Sequence, residues 1–483
     1  MKNHRRRWSI VPLALIAVGA AIAATAGSGG AKAAERGFMS PATGAASLYD
    51  AVGQPTVSSS GSVHFGCQLS TPAGCYGPDQ IRTAYGIQPL LNAGYDGSGR
   101  TIAIVDAYGS PTLNADLSTF DSLWGLPEVN LQVVAPFGID STSATNGAGW
   151  AGETTLDVSW AHAVAPGAKI LLVIAKSNDD ADILKATRWI SDNFATTQAD
   201  VLSQSFGEAE RCMDPGLLTR QHALFAKMTG QGITLLASSG DQGAGQPTCD
   251  GSAYFKSTST PASDPYVTSV GGTDLIAEGV SGAYKSESTW NESNIFGDAV
   301  AGGGGVSIIY SRPSYQAPVQ KSDMRTVPDV SYNAAVFQGV LTHWDATPFG
   351  RPSGWYRFGG TSAGSPQWAG IVAIADQIAG GRIGSINKAL YDVGKNHDAS
   401  TYFHDVADGS SNSIPDLTPF QGEPFGTPIE GFTAVTGYDL ATGFGSPIAS
   451  ALAPYLAKNG SRGSNDSAAV GSSNGEHGSK HSH

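Results

Sequence analysis

Short apolar runs alternate with longer amphipathic segments through the middle of the chain. Helix-length segments such as Ala181–Asn193 and Leu217–Gly230 separate the apolar runs. The runs that read as buried strands are Thr101–Asp106, Lys169–Ala175, Asp200–Ser205 and Gly232–Ala237. This alternation predicts an α/β fold with a mostly parallel central sheet and helices on both faces. Ligands bind beyond the carboxyl ends of the strands in such sheets, so the residues after each run are the first candidates for a site.

The first 33 residues have the three-part pattern of a secretory signal peptide. A basic stretch at 2–7 precedes an apolar run, Ile10–Ala24, and Ala-x-Ala cleavage patterns then end at Ala26 and Ala33. The apolar run is short for a membrane span, and an uncut membrane anchor is the alternative. We therefore expect a secreted, extracellular protein that has no membrane attachment after signal removal.

Composition divides the rest of the chain into three parts. Residues 34–77 are rich in Ser, Gly and Ala without periodicity, and we expect a linker or an extended arm there. Residues 78–457 carry the strand and helix pattern and are predicted to form the folded domain. Residues 458–483 form a Gly/Ser/His tail without periodicity, which we expect to be disordered.

Charge and cysteine content narrow the class of protein. The 483 residues include 28 Lys and Arg against 41 Asp and Glu, a net charge of -13, and no basic stripe appears after the first seven residues. This balance disfavours a nucleic-acid binder. Four cysteines suit an oxidising compartment, and pairing Cys67 with Cys75 and Cys212 with Cys249 is the simplest of three connectivities, with free thiols as the alternative. Their spacing does not support a zinc site.

The first motif with chemical meaning is a small-residue turn, Gly360–Gly370, which runs into an apolar helical stretch, Trp368–Ile378. Ser362 therefore lies just before a helix N-terminus, where free N–H groups and the helix dipole favour a developing negative charge. That position suits a nucleophile. The alternative is that Ser362 only caps the helix.

The second motif is a pair of carboxylates on a predicted helix, Glu153–Ala163. Glu153 and Asp157 are four residues apart and so lie on one helical face, where like charge raises one pKa and lets the pair share a proton. Such pairs perform general acid and base catalysis. Two solvated acids on an outer face are the alternative.

The third motif, Ser238–Gly243, directly follows a predicted strand and therefore lies at the carboxyl edge of the sheet. Its Asp241 either forms an Asx turn or, if protonated, donates a hydrogen bond to an oxyanion.

In chain order, Glu153, Asp157, Asp241 and Ser362 resemble the sequence motifs of the sedolisins. These are the serine-carboxyl peptidases, which have the subtilisin architecture with Glu in place of His. The resemblance extends over roughly Pro78–Ala457. It includes the stretches Leu202–Gly207 (LSQSFG), Gly302–Ser307 (GGGGVS) and Val327–Val330 (VPDV).

The resemblance implies a role for each matching residue. Ser362 would be the acylated nucleophile, Glu153 its general base and later acid, Asp157 the partner of Glu153, and Asp241 the oxyanion donor. A Glu acts as a base near its pKa of ~4.3, whereas Asp241 helps only while protonated, so both requirements are met in acid. We expect an acidic pH optimum.

The C-terminal part resembles the calcium loop of the same family. By that resemblance, the side chains of Asp405 and Asp439 and the backbone carbonyls of Val406, Val435 and Gly437 would bind Ca²⁺, a set of hard oxygen ligands. Val435 stands where the family usually has Gly, which puts the local backbone geometry in question more than the ion.

Substrates would be proteins or peptides, and a monomer is the default expectation for a secreted hydrolase. The stretch with Ser203, Ser205, Phe206 and Gly207, together with the glycines at 302–305, is expected to flank the substrate backbone as an added strand. Glu208 and Glu210 either line subsites or are surface charges. Residues 34–77 are too few for the long folded prodomain that sedolisins commonly carry.

Two other functions compete with this one. A conventional subtilisin would use Asp106, His162 and Ser362, but His162 lacks the Gly-rich setting of that family. A secreted, non-catalytic peptide-binding protein on the same fold is the second alternative.

Overall fold

A computed structural model of the chain describes residues 40–41, 48–57, 63–140, 144–292, 300–396, 399–414 and 428–461. The predicted signal peptide at 1–33, and the part of the predicted tail after residue 461, lie outside the described residues.

The strands are numbered in chain order. They are β1 (Ser40–Pro41), β2 (Tyr49–Ala51), β3 (Thr56–Val57), β4 (Val63–His64), β5 (Cys75–Tyr76), β6 (Thr101–Ala107), β7 (Asn130–Val134), β8 (Lys169–Ala175), β9 (Val201–Gln204), β10 (Phe206–Ala209), β11 (Thr234–Ser238), β12 (Gly245–Pro247), β13 (Tyr254–Lys256), β14 (Ser259–Thr260), β15 (Val267–Ala277), β16 (Tyr284–Thr289), β17 (Gly305–Ser311), β18 (Met324–Val327), β19 (Val330–Asn333), β20 (Gly339–Asp345), β21 (Ser353–Phe358), β22 (Phe403–His404) and β23 (Ser446–Pro447).

The helices are numbered in the same way. They are α1 (Pro78–Ala84), α2 (Gln88–Asn92), α3 (Leu113–Trp124), α4 (Ala144–Val164), α5 (Asp180–Asp192), α6 (Phe194–Thr197), α7 (Pro215–Gly230), α8 (Gly364–Ala379), α9 (Asn387–Asn396) and α10 (Ala449–Asn459).

The central sheet has eight strands, in the order β16-β15-β11-β9-β6-β8-β7, and β19 also pairs with β15. All of its pairings are parallel except that of β15 with β16. In the middle of the sheet Ile104 lies opposite Leu172 on one side and Ser203 on the other. The predicted parallel sheet is therefore confirmed, and the carboxyl ends of β6, β9 and β11 meet at one edge.

Helices cover both faces of the sheet because its strands are apolar on both sides. Ile102 and Ile104 of β6 belong to one hydrophobic core, which contains α4 and α8, while Ala103 and Val105 belong to a second core with α5 and α7. From Trp150 to Ala165 every residue is buried, so α4 lies in the interior. The segments predicted as helical all form helices, with ends shifted by a few residues except in α4, which begins nine residues earlier than predicted.

The described part of residues 34–77 packs on the folded domain. Leu48 and Phe65 are fully buried, and β2 pairs with β21. The predicted cysteine pairing is confirmed, since Cys67 bonds to Cys75 and Cys212 to Cys249. No helix in the described part of the chain has the length and hydropathy that a membrane span requires.

A buried ion pair joins three elements of the fold. Arg325 and Asp329 are both fully buried, and two N–H groups of the guanidinium donate to the carboxylate at 2.6 Å each. The same carboxylate accepts from the Ser269 N–H and the Tyr391 hydroxyl at 2.8 Å. This pair therefore connects β15, β18 and α9.

We expect Arg325→Met to lower the free energy of unfolding by about 3–5 kcal/mol, because it leaves the Asp329 carboxylate buried without its cation. Urea unfolding at one fixed pH measures the loss. The matched control is Lys227→Met, which breaks a half-exposed pair with Asp192 and should cost at most about 1 kcal/mol. Equal losses in the two variants would contradict the assignment.

Candidate active site

Ser362 lies in a short 3-10 turn, Thr361–Ala363, between β21 and α8. The turn is preceded by Gly360 at φ 89°, a conformation that disfavours any residue with a side chain. Ser362 is fully buried, and its hydroxyl donates to the Ser205 carbonyl at 3.4 Å. The predicted position before a helix N-terminus is therefore observed.

Three carboxyl groups lie together on α4 and at the end of β6. Glu153 is 1% exposed, and Asp157 and Asp106 are fully buried, which excludes the reading of two solvated acids. Burial, and then the charges of Asp106 and Glu153, hold the pKa of Asp157 well above its usual range. Burial also raises the pKa of Asp106 to about 7, partly offset by the Thr154 hydroxyl. At least one of these acids therefore holds a proton in the acidic range.

Ser205 connects this carboxyl cluster to the turn that carries Ser362. Its hydroxyl interacts with Asp157 and lowers the pKa of that carboxyl, while its carbonyl oxygen accepts the bond from Ser362. Helix α4 packs directly against the Thr361–Ala363 turn. The structure thus brings Glu153, Asp157 and Ser362 to one place.

Asp241 approaches the same turn from the carboxyl end of β11. One of its oxygens, Oδ1, accepts from both the backbone N–H and the hydroxyl of Thr361, each at 2.7 Å. Burial raises the pKa of Asp241 to about 7, although the two Thr361 bonds lower it. In acid this carboxyl is neutral, as a hydrogen-bond donor to an oxyanion has to be.

His162 lies away from these groups. Its Nε2 is 2.9 Å from the Pro127 carbonyl oxygen and 3.4 Å from Oδ1 of Asp121. It is five residues after Asp157 on α4, and therefore lies on a different side of the helix. A triad of Asp106, His162 and Ser362 is not formed.

The residues predicted to contact substrate make different contacts in the structure. The Ser203 hydroxyl is bonded to that of Ser365 at 2.8 Å, and Phe206 packs against Trp150 with ring centroids 6.0 Å apart. Phe206 and Gly207 of β10 pair with β1 in antiparallel register. The edge predicted to bind a substrate strand is thus paired with the chain's own residues 40–41, and a substrate using it would displace them.

Neither Glu208 nor Glu210 is a surface charge. Glu208 is 8% exposed, and burial followed by the neighbouring Asp180 carboxyl raises its pKa to about 9. Glu210 accepts from the Ser307 hydroxyl at 2.6 Å and the Ile308 N–H at 2.8 Å. It therefore fixes the strand that follows the glycine run.

The glycines at 302–305 pack against the turn that carries Asp241. The Gly303 N–H donates to the Gly240 carbonyl at 2.7 Å, and a Cβ on Gly303 would lie 2.3 Å from the Ser239 carbonyl oxygen. Glycine is required here by the close approach of two backbones.

The predicted calcium ligands converge on one loop. The Gly437 N–H donates to Oδ2 of Asp405 at 2.9 Å, and the Val435 N–H donates to Oδ2 of Asp439 at 2.9 Å. Oδ1 of Asp405 is buried and has no hydrogen-bond partner among the described residues. Val406, the remaining predicted ligand, is buried beside Asp405. The described residues contain no cluster of three or more His, Cys, Asp or Glu suited to a metal, so a cation here would depend on backbone carbonyls.

The chain is similar to known proteins in both sequence and fold. Residues 143–382 match the model of the Subtilase family. The chain is 30% identical over 383 residues to kumamolisin of Bacillus sp. (strain MN-32), covering 77% of this chain and 62% of that protein. It is 30% identical over 400 residues to sedolisin of Pseudomonas sp. (strain 101), covering 80% of this chain and 62% of that protein. The chain therefore spans about three fifths of the length of these curated relatives.

A solved structure of Pseudomonas sedolisin, a serine-carboxyl proteinase complexed with two molecules of pseudo-iodotyrostatin, superimposes with a TM-score of 0.65 at 28% identity. The match covers 80% of this chain and 98% of that one. Fold and site together define a protein of the subtilisin-like class. Within that class, the chain belongs to the sedolisin family.

The structure adds two residues to the predicted site. Asp106 is a third carboxyl of the acid cluster, and Thr361 holds Asp241. Both had a signal in the sequence, because Asp106 ends a buried strand at the ligand-binding edge and Thr361 adjoins Ser362.

The buried acids predict that stability is greatest in acid. A carboxyl whose pKa is raised by folding stabilises the fold fully below its unfolded value of ~3.9, and that contribution is lost as the pH rises through about 7 for Asp241. Between pH 4 and pH 8.5 the free energy of unfolding should fall. In Asp241→Asn the fall should be smaller by about 4 kcal/mol, since that residue no longer ionises.

Urea unfolding across this pH range tests the prediction. Asp323→Asn, at a side chain 99% exposed, is the control and should follow the parent. If Asp241→Asn also loses as much stability as the parent, the predicted ionisation is refuted.

Proposed function

We propose that this protein is an acid-active serine-carboxyl peptidase that hydrolyses peptide bonds through an acyl-enzyme on Ser362. The observation that carries the proposal is the convergence on one turn of a buried serine, a buried Glu/Asp pair and a buried carboxyl that is neutral in acid. Membership of the sedolisin family supports it, as does the similarity in fold to Pseudomonas sedolisin, which is a serine-carboxyl proteinase.

In the first half of the reaction, Ser362 Oγ attacks the carbonyl carbon of the scissile bond while Glu153 accepts the hydroxyl proton. The developing oxyanion receives a hydrogen bond from the protonated Asp241. Glu153 then passes its proton to the leaving amine, the C–N bond breaks, and the acyl group stays on Ser362.

In the second half, a water attacks the acyl carbon and gives its proton to Glu153. Collapse of the second oxyanion returns the proton to Ser362 and releases the new carboxyl group. Asp157, next to Glu153, orients that carboxyl and shares its proton with the cluster that includes Asp106. Above neutral pH Asp241 ionises and repels the oxyanion, so the rate falls.

Proteins or peptides are the proposed substrates, and Ser205, Phe206 and Gly207 line the strand edge along which their backbone would extend. We place the protein outside the cell, because its two disulfides suit an oxidising compartment and its N-terminal sequence has the signal-peptide pattern. The proposed mature form is monomeric.

Hydrolysis of denatured protein between pH 2.5 and pH 9 tests the function. The parent should be active only in acid, and Ser362→Ala and Glu153→Gln should each lower kcat by at least about 10³-fold, since each removes a group that forms or breaks a bond.

Glu128→Gln, on the exposed surface, serves as the matched control and should leave the rate unchanged. A folded parent with no activity at any pH would favour the alternative of a non-catalytic peptide-binding protein. Activity that persists in Ser362→Ala would exclude the acyl-enzyme.

A calcium ion bound by Asp405 and Asp439, with the carbonyls of Val406, Val435 and Gly437, is proposed as a stabilising cofactor. The buried, unpartnered Oδ1 of Asp405 and the convergence of both carboxylates on the 435–437 loop support this set. The ion would neutralise the carboxylates of Asp405 and Asp439 and hold the 435–437 loop in place.

Removal of calcium with a chelator should lower the Tm by several degrees, because an ion that binds only the folded state stabilises it by mass action. Scanning calorimetry with added Ca²⁺ or EGTA measures the difference. Asp405→Asn should abolish the calcium-dependent increment, while Asp323→Asn keeps it. An identical Tm of the parent in both buffers would refute the site.

A further inference from the structure

The two oxygens of the Asp241 carboxyl have different surroundings. Oδ1 accepts two hydrogen bonds from Thr361, at 2.7 Å each. Oδ2 is buried and has no hydrogen-bond partner among the described residues. A proton on Oδ1 would face two donor hydrogens, so the proton of the neutral acid belongs on Oδ2.

The hydroxyl of Thr361 has a fixed direction. It accepts from the Gly240 N–H at 3.2 Å, and its single hydrogen faces either Oδ1 of Asp241 at 2.7 Å or the Gly240 carbonyl at 3.2 Å. That carbonyl already accepts from the Gly303 N–H at 2.7 Å. The hydrogen therefore goes to Oδ1 of Asp241, which is the shorter contact and the acceptor that the Gly303 N–H does not already occupy.

We propose that Thr361 is a positioning residue that places the proton of Asp241 on Oδ2, the oxygen left to donate to the oxyanion, and sets how acidic that proton is. This inference rests on the proposed function of Asp241. The proposal assigns this effect on the Asp241 proton to the hydroxyl of Thr361, and not only to the backbone N–H that Thr361 contributes to the turn.

Charged neighbours do not compete with Thr361 for control of Asp241. The causes that act on the pKa of Asp241 are burial, which raises it, and the backbone and side-chain bonds of Thr361, which lower it. The elements packed around the Thr361–Ala363 turn are α4, α8, β15 and β19. Their titratable groups are Glu153, Asp157 and His162 on α4, Asp376 on α8, Asp274 on β15 and Tyr332 on β19, and none of these is among those causes. Loss of the hydroxyl alone should therefore raise the pKa.

The experiment compares Thr361→Val, which keeps the shape of the side chain and loses the hydroxyl, with Thr361→Ser, which keeps the hydroxyl. In Thr361→Val we expect kcat to fall about tenfold with little change in KM, which corresponds to one hydrogen bond. The alkaline limb of its kcat profile should move to higher pH by about one unit. Thr361→Ser should retain the alkaline limb of the parent.

Thr289→Val is the matched control, because Thr289 is buried on β16 and its hydroxyl has no hydrogen-bond partner among the described residues. It should move neither kcat nor the alkaline limb. The inference would be overturned if the alkaline limb of the kcat profile stayed at the parent's pH in Thr361→Val. It would also be overturned if the limb moved by the same amount in Thr361→Ser.

A second measurement separates this inference from the proposed function. The ¹³C carboxyl resonance of Asp241, assigned by its loss in Asp241→Asn, titrates whether or not the protein is a peptidase. A higher titration midpoint in Thr361→Val than in the parent and Thr361→Ser supports the assignment of Thr361 even if no hydrolysis is found. Equal midpoints overturn it even in an active enzyme.

Discussion

Removal of carboxyl groups from water is the constraint on which the rest of this structure depends. Asp106, Glu153, Asp157 and Asp241 are all buried around one turn, where an ionised carboxylate is costly unless it is compensated. Their neighbours are mainly hydroxyls and backbone N–H groups, and burial raises the pKa values of Asp106, Asp157 and Asp241. Folding and the proposed chemistry therefore both favour a neutral Asp241 in acid.

This burial is a product of the way the helices pack. The apolar helix α8 and the interior helix α4 lie against the same face of the sheet, and α4 also contacts the turn at the start of α8. Side chains on the inner faces of both helices have no access to solvent. The edge formed by β6, β9 and β11 then supplies Asp106, Ser205 and Asp241 within reach of that turn.

Sequence patterns were sufficient for the parallel sheet, the disulfide pairing and the position of Ser362 before a helix. The catalytic roles of single residues were less certain from the sequence, because a Ser before a helix or an Asp between glycines also has an ordinary structural role. The roles of Glu208 and Glu210 were missed, since spacing along a strand does not reveal burial. Pairing of β1 with β10 joins residues far apart in the chain and has no local signature.

The sequence by itself determined the alternation of buried strands and helices in the middle of the chain, because hydrophobic periodicity is a local property. It also determined the residue types available at the carboxyl edge of the sheet. Tertiary structure decided which acids lose their water, which oxygen of Asp241 is held by Thr361, and that His162 lies against Pro127 and Asp121 instead of Ser362. Those outcomes depend on distances between elements that only packing sets.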